Sequence, residues 1–227
     1  MNLQNLGILS ILFFGFVSCS DNESKTETQN QVASRPTTPV LNGQVRIGTQ
    51  IWMTRNLNVK RYRNGDLIPQ VTDPTQWSNL TTGAWCYYEN NTANGTVYGK
   101  LYNWYAVNDL RGLAPAGYHI PSEAEWITLT NFSGGENIAG SNLKGSALWS
   151  PIVGIINTNS SGFTGFPAGV RNYNGTFSSI GSYGILWGSN EVQPQDSMTF
   201  LLSCDSDITF FGYANKKSGY SVRCLRN

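Results

Sequence analysis

The chain contains one histidine, His119, and four cysteines, Cys19, Cys86, Cys204 and Cys224. Nucleophilic or transition-metal chemistry would have to be built from these few groups. A lone imidazole rules out zinc sites that need two or three histidine ligands. His119 has the chemistry of a general base. However, its setting, Gly117-Tyr118-His119-Ile120-Pro121, reads as a structural residue beside a turn. No cysteine stands at a spacing that marks a thiolate–imidazole pair, and none forms a C-x-x-C pair, so zinc-ribbon and thioredoxin-like motifs are absent. Glu123 and Glu125 are two apart on an expected helix and point to different faces, so they do not converge as a carboxylate pair. Asp205-Ser206-Asp207 begins like an EF-hand loop, but Thr209 and Phe210 stand where that loop needs Asp or Asn and a glycine. No residue is assigned a catalytic role, and the chain is not expected to be an enzyme.

Charge narrows the partners. Lys+Arg is 15, Asp+Glu is 14, and the net charge is +1, which gives no concentrated basic face for nucleic acid. Charged residues are 13% of the chain, about half the usual share. Apolar residues are 40%, with 7 Trp, 11 Tyr and 10 Phe, enough to bury a core in a chain of this length. The 24 glycines and abundant Asn, Ser and Thr predict a fold rich in turns.

The elements that must position these residues are short. Gln44–Leu57 reads as a hairpin turning at Gly48-Thr49, with Val45, Ile47, Ile51 and Met53 alternating. Gly83–Tyr88 reads as a short aromatic strand, and Asn90–Thr96 as a loop. Tyr98–Asn108 carries Leu101, Trp104, Tyr105 and Asn108 at helical spacing, which predicts a helix. Gly117–Ile120 reads as extended. Ser122 and Glu125 form a capping box for a helix that carries Trp126, Leu129 and Thr130 on one face and stops at Gly134-Gly135. From Phe163 onward the chain alternates short strands with glycine turns and ends on Ser221-Val222-Arg223-Cys224. Arg171 and Arg223 lie in glycine-flanked strand patterns and are expected to be buried or half-buried hydrogen-bond anchors, not substrate clamps. Helices in front and strands behind predict an α+β fold.

The N-terminal residues are an address. Leu6–Val17 is an apolar run of 12, too short to span a bilayer and suited to a signal peptide. Ser18-Cys19 after it resembles a bacterial lipoprotein cleavage site, which implies acylation of Cys19 and anchoring through outer-membrane lipid. The first six residues lack Lys and Arg, unlike the usual pattern, and a plain secretory signal is the other reading. The organisation is then a signal peptide at 1–18, a polar tether at 19–40, and one domain at 41–227. Asp21 and Glu23 resemble the surface-export signal of Bacteroidota-type lipoproteins, which implies the cell surface. In such an oxidising compartment a disulfide is expected, with Cys86–Cys224 preferred over Cys204–Cys224. Three separately buried thiols are the alternative.

Several stretches, in order, resemble one family: Ile47–Met53 with Asn56-Leu57-Asn58, Tyr98–Trp104, Pro115–Ser122 with Glu125-Trp126, Gly169-Val170-Arg171, and Ser221–Cys224. They are similar to the Fibrobacter succinogenes major paralogous domain of bacterial surface and secreted lipoproteins, over about Val45 to Arg226. Trp187-Gly188-Ser189-Asn190-Glu191 departs from the family's usual Trp-Ser-Ser-Thr-Glu. The resemblance implies a C-type-lectin-like fold: two helices on a twisted antiparallel sheet, loop-rich, with the first and last strands paired. Formylglycine-generating enzymes share that fold group, but their closely spaced cysteine pair is missing. C-type lectins hold calcium through short Glu-Pro-Asn or Gln-Pro-Asp loops; this chain has Gln193-Pro194-Gln195-Asp196, with Gln195 inserted, and Asn190, Glu191, Gln193 and Asp196 are the available oxygen ligands. The opposing reading is a polar surface loop. Trp52, Trp104, Trp126 and Trp187 read as core, whereas Trp77 and Trp149 lie in polar stretches and are candidates for exposure. The expected function is a surface-anchored, non-catalytic binding or adhesion module with a glycan or surface protein as ligand. A structural part of a surface or pilus-like assembly is the alternative.

Overall fold

The computed structural model describes residues 43–227. The expected signal peptide, the tether and Cys19 lie outside the described residues.

The chain opens with the expected hairpin, β1 (Gln44–Ile47) and β2 (Gln50–Met53), in which Val45 faces Trp52. A short helix α1 (Pro74–Ser78) starts where Asp73 accepts from the Gln76 N–H at 2.7 Å. Strand β3 (Trp85–Cys86) and a 3-10 turn at Tyr88–Asn90 follow. Helix α2 (Thr92–Tyr98) is capped by Asn91. Next come β4 (Leu101–Tyr102), α3 (Trp104–Val107) and β5 (Tyr118–His119). The two longest helices are α4 (Glu123–Phe132) and α5 (Glu136–Leu143). The rest is strand: β6 (Ala168–Arg171), β7 (Phe177–Ile180), β8 (Tyr183–Glu191), β9 (Asp196–Ser203), β10 (Phe210–Asn215) and β11 (Leu225–Arg226).

The architecture is α+β, with four small antiparallel sheets ordered β1-β2-β11-β5, β10-β9-β8, β3-β4 and β6-β7. Five short α-helices replace the expected two among the described residues. The first and last strands are not partners. Strand β11 pairs with β2 at Leu225–Trp52 and with β5 at Leu225–His119. Closing the hairpin uses one side of β2 for β1, so its other side is the one left to receive the C-terminus.

Tertiary pairing also overrides the helical spacing at Tyr98–Asn108. The Tyr102 N–H is taken by the Tyr220 carbonyl at 2.9 Å, which holds residues 101–102 extended. Asn103 then caps what is left, its Oδ1 accepting from Ala106 N–H at 3.1 Å and from Ala84 N–H at 2.9 Å. The expected loop at Asn90–Thr96 is mostly helix α2, because Asn91 Oδ1 accepts from Ala93 N–H at 2.9 Å.

The principal core lies between the hairpin sheet, α4, α5 and the β8–β10 sheet. Trp126 stacks on Phe200 with centroids 4.4 Å apart, and Trp52 lies 4.8 Å from Trp126. Trp77 and Trp149 are core as well, 0% and 8% exposed. Each has a buried carbonyl to receive its indole N–H, at Lys217 (2.8 Å) and Gly165 (3.0 Å). At Gly188, a Cβ would lie 2.2 Å from Met198 Sδ. That contact is a packing reason for glycine at this departure from the family pattern.

The expected Cys86–Cys224 disulfide is not formed, and Cys86, Cys204 and Cys224 are free and buried. Each belongs to a different apolar cluster, and a bridge needs the two Cβ atoms about 4 Å apart. Burial pushes the Cys86 and Cys224 thiols up to about 12.

Five cations are buried: Lys100, Lys144, Arg171, Lys216 and Arg223. Their partners are mostly backbone carbonyls. Arg223 donates to Phe163 O (2.6 Å), Met53 O (3.0 Å), Thr164 O (3.1 Å) and Asn56 Oδ1 (2.8 Å). Arg171 donates to Val71 O (2.6 Å), Thr72 O (2.9 Å) and Gly175 O (3.2 Å). Lys144 donates to Ser203 O and Ser206 O at 2.9 and 2.8 Å. Each cation also lies over an aromatic ring, Arg171 on Trp77 at 4.3 Å and Arg223 on Phe163 at 4.4 Å. The expectation that Arg171 and Arg223 are buried anchors therefore holds. Arg223→Lys retains the charge but cannot reach four acceptors. It is expected to lower stability by about 3 kcal/mol in urea unfolding, since buried carbonyls lose their donors.

Candidate functional site

The segment after β2 leaves the sheet and is held along its length by the C-terminus. Met53 N–H donates to Cys224 O (3.1 Å) and Leu57 N–H to Val222 O (2.8 Å). Opposite it, Tyr118 N–H closes a turn on Pro115 O at 3.1 Å. Gly117 at φ +81° supplies the left-handed step. Between the two segments lies a groove of about 390 Å³, within the size range of ligand sites. Met53, Leu57, Val59 and Pro115 give it an apolar lining, while Gln44, Arg55, Asn58 and Tyr118 add polar and aromatic groups. A depression of about 70 Å³ shares Arg55, Asn56 and Asn58 and continues toward Gly99.

The asparagines at the groove are fixed from below. Asn56 donates to Tyr98 O at 2.9 Å and to Ser221 Oγ at 3.1 Å, while its Oδ1 receives Arg223. Asn58 receives the Lys100 ammonium on its carbonyl at 3.0 Å and on its side-chain oxygen. Lys100 is 1% exposed and packs on Trp85 at 4.4 Å. Burial, and then the neighbouring Lys60 charge, push its ammonium down to about 8. Such an arrangement fixes amide dipoles at a concave surface, which suits recognition of a polar ligand.

In the sequence Asn56-Leu57-Asn58 stands only as part of a family signature, and Arg55 carries no signal of a role. A polar-apolar-polar triplet directly after a strand was the available signal. Its meaning depends on the C-terminus arriving beside it.

The expected calcium residues cluster at the β8–β9 turn. Glu191 is ion-paired with Lys216, which also donates to Pro194 O at 2.9 Å. Asn190 Oδ1 accepts from Glu123 N–H at 2.7 Å. Gln193 and Asp196 exchange backbone hydrogen bonds at 3.1 and 3.2 Å. The ammonium of Lys216 thus takes the position at Glu191 that a cation would need. No cluster of three His, Cys, Asp or Glu suited to a metal occurs among the described residues.

His119 lies in a separate cleft of about 290 Å³. Its Nε2 is 2.9 Å from Glu125 Oε1 and its Nδ1 is 2.8 Å from Asn227 Oδ1. Glu125 Oε2 accepts both the N–H and the hydroxyl of Ser122 at 2.8 Å, which is the carboxylate half of the expected capping box. Both ring nitrogens therefore have fixed partners, in keeping with the structural reading.

The fold and the groove define an α+β domain whose concave polar surface is built from loops. The family described as Fibrobacter succinogenes major domain matches residues 45–226, and the chain belongs to it. Among curated proteins and among solved structures, none matches this chain. No helix among the described residues is long and apolar enough to cross a membrane.

Burial would raise the Glu125 carboxyl, but the Ser122 donors and His119 outweigh it and hold it below its ordinary 4.5. A carboxylate lowered in the folded state stabilises above the unfolded value, and that contribution is lost as pH falls through the folded value. Glu125→Gln is expected to cost about 1 kcal/mol at pH 7. Urea titrations of the two proteins are expected to converge as pH falls below the ordinary carboxylate value and through the lowered folded one.

Proposed function

We propose that this protein is a lipid-anchored, non-catalytic binding module of the bacterial outer-membrane surface, with glycan as its ligand, and that its domain is C-type-lectin-like. The observation that carries the reading is the groove: a concave surface with a half-buried tyrosine, apolar floor and amides held by buried cations. Sugars present hydroxyls to amides and apolar ring faces to aromatic and proline side chains, so such a surface matches their chemistry. The lectin-like fold is supported by the C-terminal strand closing onto the N-terminal hairpin and by a second three-stranded sheet beyond it. Lys216 at Glu191 favours binding without calcium. The distance of Cys204 from Cys224 in the packing, in separate apolar clusters, disfavours chemistry of the formylglycine-generating type.

A second reading, a component of a surface assembly, is favoured by β10. Its outer edge has no strand partner among the described residues, and Phe210, Phe211 and Tyr213 along it are 42%, 36% and 63% exposed. Such an edge is a template for another strand.

Anchoring is tested by intact mass of the mature protein from membranes. A chain beginning at an acylated Cys19 is expected, and an unmodified Met1 terminus would overturn the anchor. Ligand class is tested with the full chain in detergent on a glycan array and on insoluble polysaccharides, in calcium and then in EDTA. Glycan binding is expected, and it should persist in EDTA. Binding lost in EDTA would restore the loop Asn190–Asp196 as a calcium site. No glycan bound in either buffer would favour the assembly reading.

A further inference from the structure

The groove carries an imbalance of charge. None of its lining residues, nor those of the depression that continues it, is Asp or Glu. Arg55 is exposed at its rim, and its guanidinium makes no hydrogen bond or ion pair among the described residues. Two further positive charges lie directly under the lining. Arg223 reaches it through Asn56 Oδ1 and Lys100 through Asn58. Both are buried, and neither has a carboxylate within ion-pair distance among the described residues. Lys60 adds a fourth charge close enough to act on Lys100. Carbonyl oxygens satisfy the N–H donors of Arg223 and Lys100 but do not cancel their charge.

A concave, low-dielectric wall over unneutralised cations concentrates positive potential at its mouth. This potential is local, because the whole chain carries only +1. That excludes a long polyanion tracked by many contacts and fits one anionic group per site. The rest of the lining points to a sugar bearing that group. Gln44 offers its amide for hydroxyls, Asn58 the amide hydrogen that Gly95 O does not take, and Tyr118 with Pro115 an apolar wall. A planar guanidinium free at the rim matches a carboxylate through two parallel hydrogen bonds.

We propose that the groove binds acidic glycan, with the carboxylate of a uronic acid residue held by Arg55 and its hydroxyls by Gln44 and Asn58. This inference rests on the glycan-binding reading and narrows it. Arg55 is a specificity-determining residue, because a neutral sugar leaves its charge unused. The buried Lys100 and Arg223 position Asn58 and Asn56 and add attraction through space.

The test uses the full chain in detergent and three uronate polymers of different stereochemistry: polygalacturonate, alginate and hyaluronan. The controls are methyl-esterified polygalacturonate, neutral galactan and a sulfated galactan without uronate. Affinity is measured by affinity electrophoresis and calorimetry at two salt concentrations. At least one uronate polymer is expected to bind. Esterification and Arg55→Ala are each expected to weaken binding tenfold or more, and Arg55→Glu to abolish it. Arg55→Lys should keep part of the affinity. The thermal midpoint of Arg55→Ala should stay within about 2 °C of wild type, because no contact of the fold is removed, which separates lost binding from lost folding. Equal binding of neutral galactan and the uronates would keep the glycan reading and overturn this inference. Binding of the sulfated polymer alone would overturn the carboxylate assignment. Uronate binding that survives Arg55→Glu would overturn the site. Binding to none of the polymers, while the array finds another glycan, would overturn the acidic class. Silence on both would overturn the two readings together.

Discussion

A positive charge buried against carbonyl oxygens is the interaction on which this fold depends. Loops cannot satisfy their own backbone acceptors as helices and sheets do, and an unpaired buried carbonyl is costly. Here Arg171 and Arg223 each bring donors to three such acceptors, Lys144 to two, and Lys100 and Lys216 to one each. Their partners are far apart in sequence: Arg223 joins Met53, Asn56, Phe163 and Thr164, and Arg171 joins residues 71–72 to the Gly175 turn. At Arg171, Arg223 and Lys100 the aromatic rings beneath balance part of the charge without a carboxylate, whereas Lys144 and Lys216 also meet Asp207 and Glu191.

This device lets a chain with short strands and short helices hold precise loops. The four sheets contain strands of only 2 to 9 residues, and the bridges between them are often single pairs such as Tyr102–Tyr220. What fixes the strands relative to one another is the set of cation clamps and the stacked Trp52, Trp126 and Phe200 between the layers. The groove inherits its rigidity from the same source. Asn56 and Asn58 face it because Arg223 and Lys100 hold them from behind, and their positive charges reach the groove as well. The buried anchors and the lining of the groove are thus linked through two amide side chains.

Parts of this were legible from the residues. Alternating Val45 and Ile47 with a Gly48 turn give the hairpin, the spacing of Ser122 and Glu125 gives the start of α4, and glycine-flanked Arg171 and Arg223 read correctly as anchors. Other parts were not. The helical spacing at Tyr98–Asn108 is real, but the strand partner supplied by Tyr220 competes for the same backbone and wins. Trp77 and Trp149 have polar neighbours in sequence, and only the folded chain brings Lys217 O and Gly165 O to their indoles. Lys100, Lys144 and Lys216 gave no sign of burial, because a lysine beside aromatic residues has the same local pattern whether exposed or covered.

The sequence by itself determined the family, the α+β class, and the hairpin and helix starts. These depend on residue types and short spacings, which act within a few residues along the chain. The tertiary structure decided which carbonyls the buried cations serve, why the cysteines lie apart, and where a groove forms. These depend on contacts across 40 to 170 residues, such as Lys100 with Asn58 and Arg223 with Met53. No local pattern encodes such contacts, because each partner acquires its meaning only when the C-terminus closes on the first hairpin.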